Sequence, residues 1–137
     1  MTSDLYKQLV LENYRKPMNF GALKSPSVKL SDSNPLCGDE ITVFLKVKKD
    51  RVMDVKFTGR GCAIFTASAS LLTESVKGKS VLALTQLKKQ DALDLIGIDL
   101  SPVRIKCALL PLKALKLAGY YSRGEKGARV SLDELSK

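Results

Sequence analysis

Three cysteines, each in a segment punctuated by glycine or proline, constrain the fold of this chain more than any other feature. The chain contains no other cysteine and no histidine. Each cysteine falls where a turn should meet a regular element, and no two of them form a C-x-x-C pair. A fold for this chain should therefore bring three separate segments to one point. The three segments are Asn34-Pro35-Leu36-Cys37-Gly38-Asp39, Gly59-Arg60-Gly61-Cys62-Ala63 and Pro102-Val103-Arg104-Ile105-Lys106-Cys107.

A carboxylate accompanies the first cysteine and supplies a fourth donor. Zinc in proteins is mostly four-coordinate and accepts thiolate and carboxylate ligands. Cys37, Asp39, Cys62 and Cys107 would therefore complete a zinc site. The carboxylate of Asp39 is the weakest of the four ligands, and its departure would open the metal to incoming sulfur.

Packing in the hydrophobic core is the alternative explanation for each cysteine, because free cysteine is among the most buried residue types. A core position does not require glycine next to the sulfur, however. The neighbouring glycines Gly38, Gly59 and Gly61 therefore favour the site over packing.

The sequence positions of the cysteines suit thiolate chemistry. Cys62 and Cys107 are expected at helix N-termini, where unpaired N–H groups and the helix dipole favour an anion. Cys37 is expected on a loop next to a glycine, so it is the sulfur best able to move. Three thiolates and one carboxylate around a divalent cation leave a charge of about −2, which Arg104 and Lys106 are placed to offset. For Arg104 an ordinary surface role is an equal alternative.

Length and charge limit the class of protein. A chain of 137 residues fits one domain, residues 1–137, and 122–137 has the composition of a polar tail. The chain has 23 basic and 14 acidic residues, but the basic residues are spread over several elements and no aromatic residues are interleaved with them. We therefore do not expect nucleic acid as a partner. The N-terminal residues contain no signal-like apolar run, and no segment approaches the roughly 20 apolar residues that span a bilayer. We expect no membrane association and a soluble, cytoplasmic protein.

Hydrophobic periodicity predicts an α+β fold in which a small three-stranded antiparallel sheet packs against several helices. A proline inside a helix removes one backbone hydrogen bond, so Pro111 places the start of the last helix near Cys107. The predicted helices are 3–15, 62–77, one or two short helices within 80–97, and a last helix that closes at Gly119. The predicted strands are 41–47 and 52–58, joined as a hairpin, with a third strand around 28–30.

These segments resemble the U-type iron–sulfur cluster assembly proteins, the family of SufU and IscU, from about Leu5 to Tyr120. Lys106 before the third cysteine is typical of the SufU branch, whereas IscU-type proteins have histidine there. The spacing from Cys62 to Cys107 resembles IscU, because SufU proteins typically carry an insertion in this region. The resemblance rests on the three cysteine segments and on Glu12-Asn13-Tyr14-Arg15-Lys16-Pro17, Ala67-Ser68-Ala69-Ser70-Leu71-Leu72-Thr73-Glu74 and Val76-Lys77-Gly78-Lys79.

The resemblance implies a SufE/NifU-like fold and a role in iron–sulfur cluster biogenesis. A SufU-like protein accepts persulfide sulfur from a pyridoxal-phosphate-dependent cysteine desulfurase and binds zinc, acting as a sulfurtransferase rather than as a conventional turnover enzyme. An IscU-like protein is instead a scaffold that assembles a [2Fe–2S] cluster on the same cysteines and passes it to apo-proteins or carriers. Both alternatives use Cys37, Cys62 and Cys107, with Cys37 as the expected sulfur acceptor.

Overall fold

The computed structural model describes residues 3–35, 38–125 and 127–137. Its elements confirm the predicted α+β class, with a three-stranded antiparallel sheet and several helices. In chain order they are α1 (Ser3–Arg15), β1 (Val28–Asn34), β2 (Asp39–Lys48), β3 (Arg51–Arg60), α2 (Ala63–Val76), α3 (Val81–Thr85), α4 (Lys89–Ile96), α5 (Pro102–Ser122) and α6 (Leu132–Leu135).

The sheet has the strand order β1-β2-β3, and both neighbouring pairs are antiparallel. Alternation along β2 buries Ile41, Val43 and Leu45 against the helices, as expected where one face of a sheet covers a core. The strands are longer than predicted, and β2 begins at Asp39. Asp39 therefore lies at one end of the central strand, directly after the β1–β2 connection.

Helices α2 and α5 pack against each other and against the sheet to form the main core. The alanine and serine residues of α2 are small enough to allow close approach, and Ala67, Ala69 and Ser70 have no exposed surface. A second apolar cluster joins α1, α2, α4 and α5 through Val10, Ala67, Ile96 and Ala108. The two helices that carry or follow Cys62 and Cys107 are thus among the most firmly packed parts of the fold.

The predicted start of the last helix was wrong. Helix α5 begins at Pro102, because Ser101 caps it by accepting a hydrogen bond from the Arg104 N–H (3.4 Å) and proline is well suited to the first helical position. Cys107 therefore lies in the second turn, beyond the N–H groups that would favour its thiolate. The helix also continues past Gly119 to Ser122.

Residues 122–137, predicted to be a polar tail, include the short helix α6. Its Leu132 and Leu135 pack against the main core, and Asp133 pairs with Lys106 of α5 at 2.9 Å. The end of the chain is therefore attached to the domain rather than extended away from it.

Across the described ranges, every helix is too short or too polar to pass through a lipid bilayer.

Candidate metal centre

Three of the four predicted donors meet at one end of the sheet. Asp39 opens β2, Cys62 is the N-cap residue of α2, and Cys107 lies in α5. One carboxylate oxygen and the two sulfur atoms all lie within 4.8 Å of one another. The three residues come from distant parts of the sequence, and the fold brings their donor atoms to one point.

The chemistry of this cluster fits a zinc ion. Thiolate and carboxylate donors are ligands that zinc accepts, with bonds of about 2.0–2.3 Å, so one ion could reach all three after small side-chain adjustments. Asp39 is only 3% exposed, and its Oδ2 atom has no hydrogen-bond partner within the part of the chain that the structure describes. A buried carboxylate oxygen without a partner is costly, and a metal ion would supply the missing interaction.

The backbone next to Cys62 is shaped to let the Asp39 carboxylate approach. A Cβ atom on Gly61 would lie 2.6 Å from Oδ1 of Asp39 and 2.7 Å from the ring of Phe65. Any side chain at position 61 would displace one of these groups. The close packing of the site therefore requires glycine at position 61.

Arg104 faces the thiols from the first turn of α5. A hydrogen bond to the Cys62 sulfur raises the pKa of Arg104, and the negative charges of Cys62, Cys107 and Asp39 raise it further. Arginine is always protonated, so the raised pKa means that the positive guanidinium is attracted to the negative donor cluster. Arg104 also lines the pocket that contains Asp39, Cys62 and Cys107, and its role at the site stays a prediction.

Lys106 does not join the cluster in this structure. Its ammonium group forms an ion pair with Asp133 of α6 (2.9 Å), and the residue does not line the pocket around the donors. Successive residues on a helix point about 100° apart. Arg104 and Cys107, three positions apart, can share a face that Lys106 cannot.

The donors line an open pocket of about 440 Å³. Two of its residues, Arg60 and Val103, were not singled out by sequence. Arg60 forms an exposed ion pair with Glu40 (2.7 Å), and Val103 is 64% exposed. Both lie inside the cysteine segments, but no site role was predicted for either residue, and their link to the site is that they line its pocket.

The sequence of this domain matches a known family. The family model of the NifU-like N-terminal domain matches residues 5–126. The chain belongs to this family.

Individual relatives of this NifU-like chain fall on both branches suggested by the cysteine segments. The zinc-dependent sulfurtransferase SufU of Bacillus subtilis is 37% identical over 129 residues, which cover 82% of this chain and 87% of that protein. The iron–sulfur cluster assembly scaffold protein IscU 1 of Archaeoglobus fulgidus is 31% identical over 114 residues, covering 83% and 74%.

A solved structure shows a similar backbone. The crystal structure of FiSufU from Fervidobacterium islandicum, described as an iron–sulfur cluster assembly scaffold protein for the SUF system, has a TM-score of 0.74 and 25% sequence identity. The similarity covers 87% of this chain and 99% of that one. The NifU-like architecture therefore extends over most of the present domain.

The remaining predicted ligand, Cys37, lies outside the described residues, as does Leu36. The residues on either side of this pair are described. Asn34 pairs with Asp39 in the sheet, and the Gly38 N–H donates to the Asn34 carbonyl (2.9 Å). Gly38 has a φ of +74°, which favours glycine. Asn34 and Gly38, the described residues nearest to Asp39 on this side, are thus held together by a backbone hydrogen bond.

Proposed function

We propose that this protein accepts persulfide sulfur from a pyridoxal-phosphate-dependent cysteine desulfurase during iron–sulfur cluster biogenesis. The observation that carries the proposal is the meeting of Asp39, Cys62 and Cys107 in one pocket, with a buried Asp39 oxygen that lacks a partner among the described residues. The similarity to SufU of Bacillus subtilis supports the sulfurtransferase assignment.

Zinc is the proposed metal, held by Cys37, Asp39, Cys62 and Cys107. When bound, it would keep the thiols deprotonated at neutral pH and tie the three segments together. Cys37 is included because it lies two residues from Asp39 in the sequence, and a fourth donor would complete a tetrahedral set.

Sulfur transfer would proceed by thiol–disulfide exchange at Cys37. Its thiolate attacks the outer sulfur of the desulfurase persulfide, a new S–S bond forms on Cys37, and the desulfurase cysteine leaves as a thiolate. The reaction balances without an added oxidant or reductant. Cys37 would then carry the sulfur to an apo-protein or carrier.

The neighbouring residues would support this exchange. Cys62 and Cys107 belong to packed helices, and Cys107 is only 3% exposed, so displacing either would disturb the core. Arg104 lines the same pocket as the two thiols, and its positive charge would offset negative charge when a ligand leaves. Asp39 would be the ligand most easily exchanged, since its carboxylate binds zinc less firmly than thiolate does.

A scaffold that assembles a [2Fe–2S] cluster is the second candidate. The similarity to IscU 1 of Archaeoglobus fulgidus favours it, as does the IscU-like spacing between Cys62 and Cys107. The cluster would then be cargo built on the same three cysteines. The two candidates differ in which metal species occupies the site in the cell.

Peptide mass spectrometry after incubation with cysteine and a desulfurase tests the assignment of Cys37. We expect the mass of one added sulfur atom on the Cys37 peptide, and its loss in Cys37→Ser. Sulfur on the Cys107 peptide that persists in Cys37→Ser would assign the acceptor to Cys107 instead.

Metal and acid-labile sulfide analysis of anaerobically purified protein separates the two candidates. A sulfur acceptor should contain about one zinc per chain and little sulfide. Stoichiometric iron and sulfide in the protein as isolated would favour the scaffold.

A further inference from the structure

A buried serine on α2 makes a direct contact with α5 next to the third cysteine. The Ser68 hydroxyl donates a hydrogen bond of 2.6 Å to the carbonyl oxygen of Ala108, the residue after Cys107. Ser68 is 1% exposed and Ala108 is fully buried. Helix α2 starts at the Cys62 cap, so this bond joins the helix that follows Cys62 to the residue that follows Cys107.

The position of this bond matters because of the proline further along α5. Pro111 has no N–H to donate to the carbonyl four residues earlier, which is that of Cys107. The regular helical ladder is therefore interrupted at Cys107. One residue further on, the Ala108 carbonyl accepts a bond from a different helix.

From this arrangement we infer that Ser68 is a positioning residue for the metal centre, fixing the distance between the Cys62 and Cys107 sulfurs. This inference rests on the proposed metal-binding function. Without the bond, α2 and α5 remain packed by their apolar contacts, but the register between them near the cysteines is less strictly set. Tetrahedral coordination requires donors at fixed separations, so an error in register weakens metal binding.

A second serine on the same helix provides a matched control. Ser70 is fully buried and donates a 2.6 Å hydrogen bond to Oδ1 of Asn13 in α1, and it also accepts from the Met18 N–H. Its partners lie on the side of α2 toward α1 and the loop after it. Loss of Ser70 removes at least as many hydrogen bonds as loss of Ser68, but none that reach α5.

The test is a Co²⁺ titration of the metal-free full-length protein. Binding is monitored by the thiolate-to-cobalt charge-transfer and ligand-field absorption bands. Ser68→Ala should bind Co²⁺ about tenfold more weakly than the parent protein, with a changed ligand-field spectrum. Ser70→Ala should keep the parent affinity and spectrum. The thermal midpoints of the two metal-free variants should both fall, which separates general destabilisation from an effect on the site.

A second pair of variants tests the hydroxyl at constant side-chain volume. Ser68→Thr and Ser68→Val add the same bulk between α2 and α5 and differ in the hydroxyl group, so the threonine variant should bind Co²⁺ more tightly than the valine variant. Equal affinity in this pair, or equal weakening in Ser70→Ala, would overturn the role of Ser68 alone. Failure of the parent protein to bind Co²⁺ would overturn the metal site and the role of Ser68 together. Failure of sulfur transfer, with Co²⁺ binding intact, would overturn the proposed function and leave Ser68 in place.

Discussion

Two basic residues precede Cys107 in the sequence, and the fold uses them differently. Arg104 lines the pocket that contains Cys62 and Cys107, while Lys106 pairs with Asp133. Adjacency in sequence favoured Lys106 as a site residue, because it is bonded directly to a ligand. In a helix, a residue three positions away shares the face of that ligand better than its immediate neighbour does.

Replacement of each basic residue by alanine should therefore have unequal effects. Arg104→Ala should weaken metal retention and slow sulfur transfer several-fold to about tenfold, since it removes the cation that faces the donors. Lys106→Ala should change both by less than about twofold, because it breaks an exposed ion pair of little energetic value. Chelator competition and a sulfur-transfer assay measure the two effects. Both variants lose one positive charge, so equal defects would indicate a general charge effect instead.

At Gly61 the packing of the site leaves no room for a side chain. Gly61→Ala should destabilise the protein by about 1–3 kcal/mol, the usual range for overpacking. It should also lower metal content, because the new methyl group meets the Asp39 carboxylate and the Phe65 ring. Urea denaturation and metal analysis provide the measurement.

Gly127→Ala is the control for Gly61→Ala, since an added Cβ there has nothing within 4 Å. It should leave stability and metal content near those of the parent. If Gly61→Ala also kept the stability and metal content of the parent, the Asp39 carboxylate could not lie against Gly61 as the structure shows.

At the scale of elements, the start of α5 sets the position of the third cysteine. The Ser101 cap and Pro102 begin the helix five residues before Cys107. Arg104 consequently falls in the first turn and lines the pocket that contains Cys62. The cap thus positions both a ligand and the cation that faces it.

Ser101→Ala should lower the free energy of unfolding by about 0.5–1 kcal/mol, the lower part of the range for lost N-caps, because its bond to the Arg104 N–H is long at 3.4 Å. Ser131 caps the peripheral helix α6 with a bond of the same length, so Ser131→Ala is a matched control. Urea denaturation should show a larger loss for Ser101→Ala. A larger loss for Ser131→Ala would mean that α6 contributes more to the fold than the start of α5 does.

At the scale of the whole molecule, a metal ion would connect parts of the chain that are remote in sequence. The described donors come from β2, the start of α2 and the second turn of α5. Binding free energy at such a site is shared with folding. The site is therefore expected to contribute to global stability as well as to sulfur chemistry.

Removal of the metal should lower the thermal midpoint on the order of 10 °C, since a ligand present at a hundred times its dissociation constant contributes about 2.7 kcal/mol. Differential scanning calorimetry before and after chelation measures the shift. Cys62→Ser lacks one ligand and should respond much less to the chelator. An unchanged midpoint for the parent protein would indicate that any bound metal is adventitious.

Several elements could be predicted because their signals are local. The spacing of Leu5, Tyr6, Leu9 and Val10 predicted α1 with its observed bounds, Ser3–Arg15. The alternation of Ile41, Val43, Leu45 and Val47 predicted the central strand. The start of α5 was predicted from Pro111 alone, whereas the Ser101 cap and Pro102 begin the helix five residues before Cys107.

The sequence by itself determined the α+β class and the family, and it singled out Asp39, Cys62 and Cys107 as candidate donors, because residue type and periodicity carry that information locally. Only the tertiary structure decided which donors meet, that Arg104 rather than Lys106 faces them, and that Ser68 joins the helices on which they depend. Those outcomes follow from the packing of α2 against α5 and from the pairing of β1 with β2. Such contacts join residues far apart in the chain, so no local pattern encodes them.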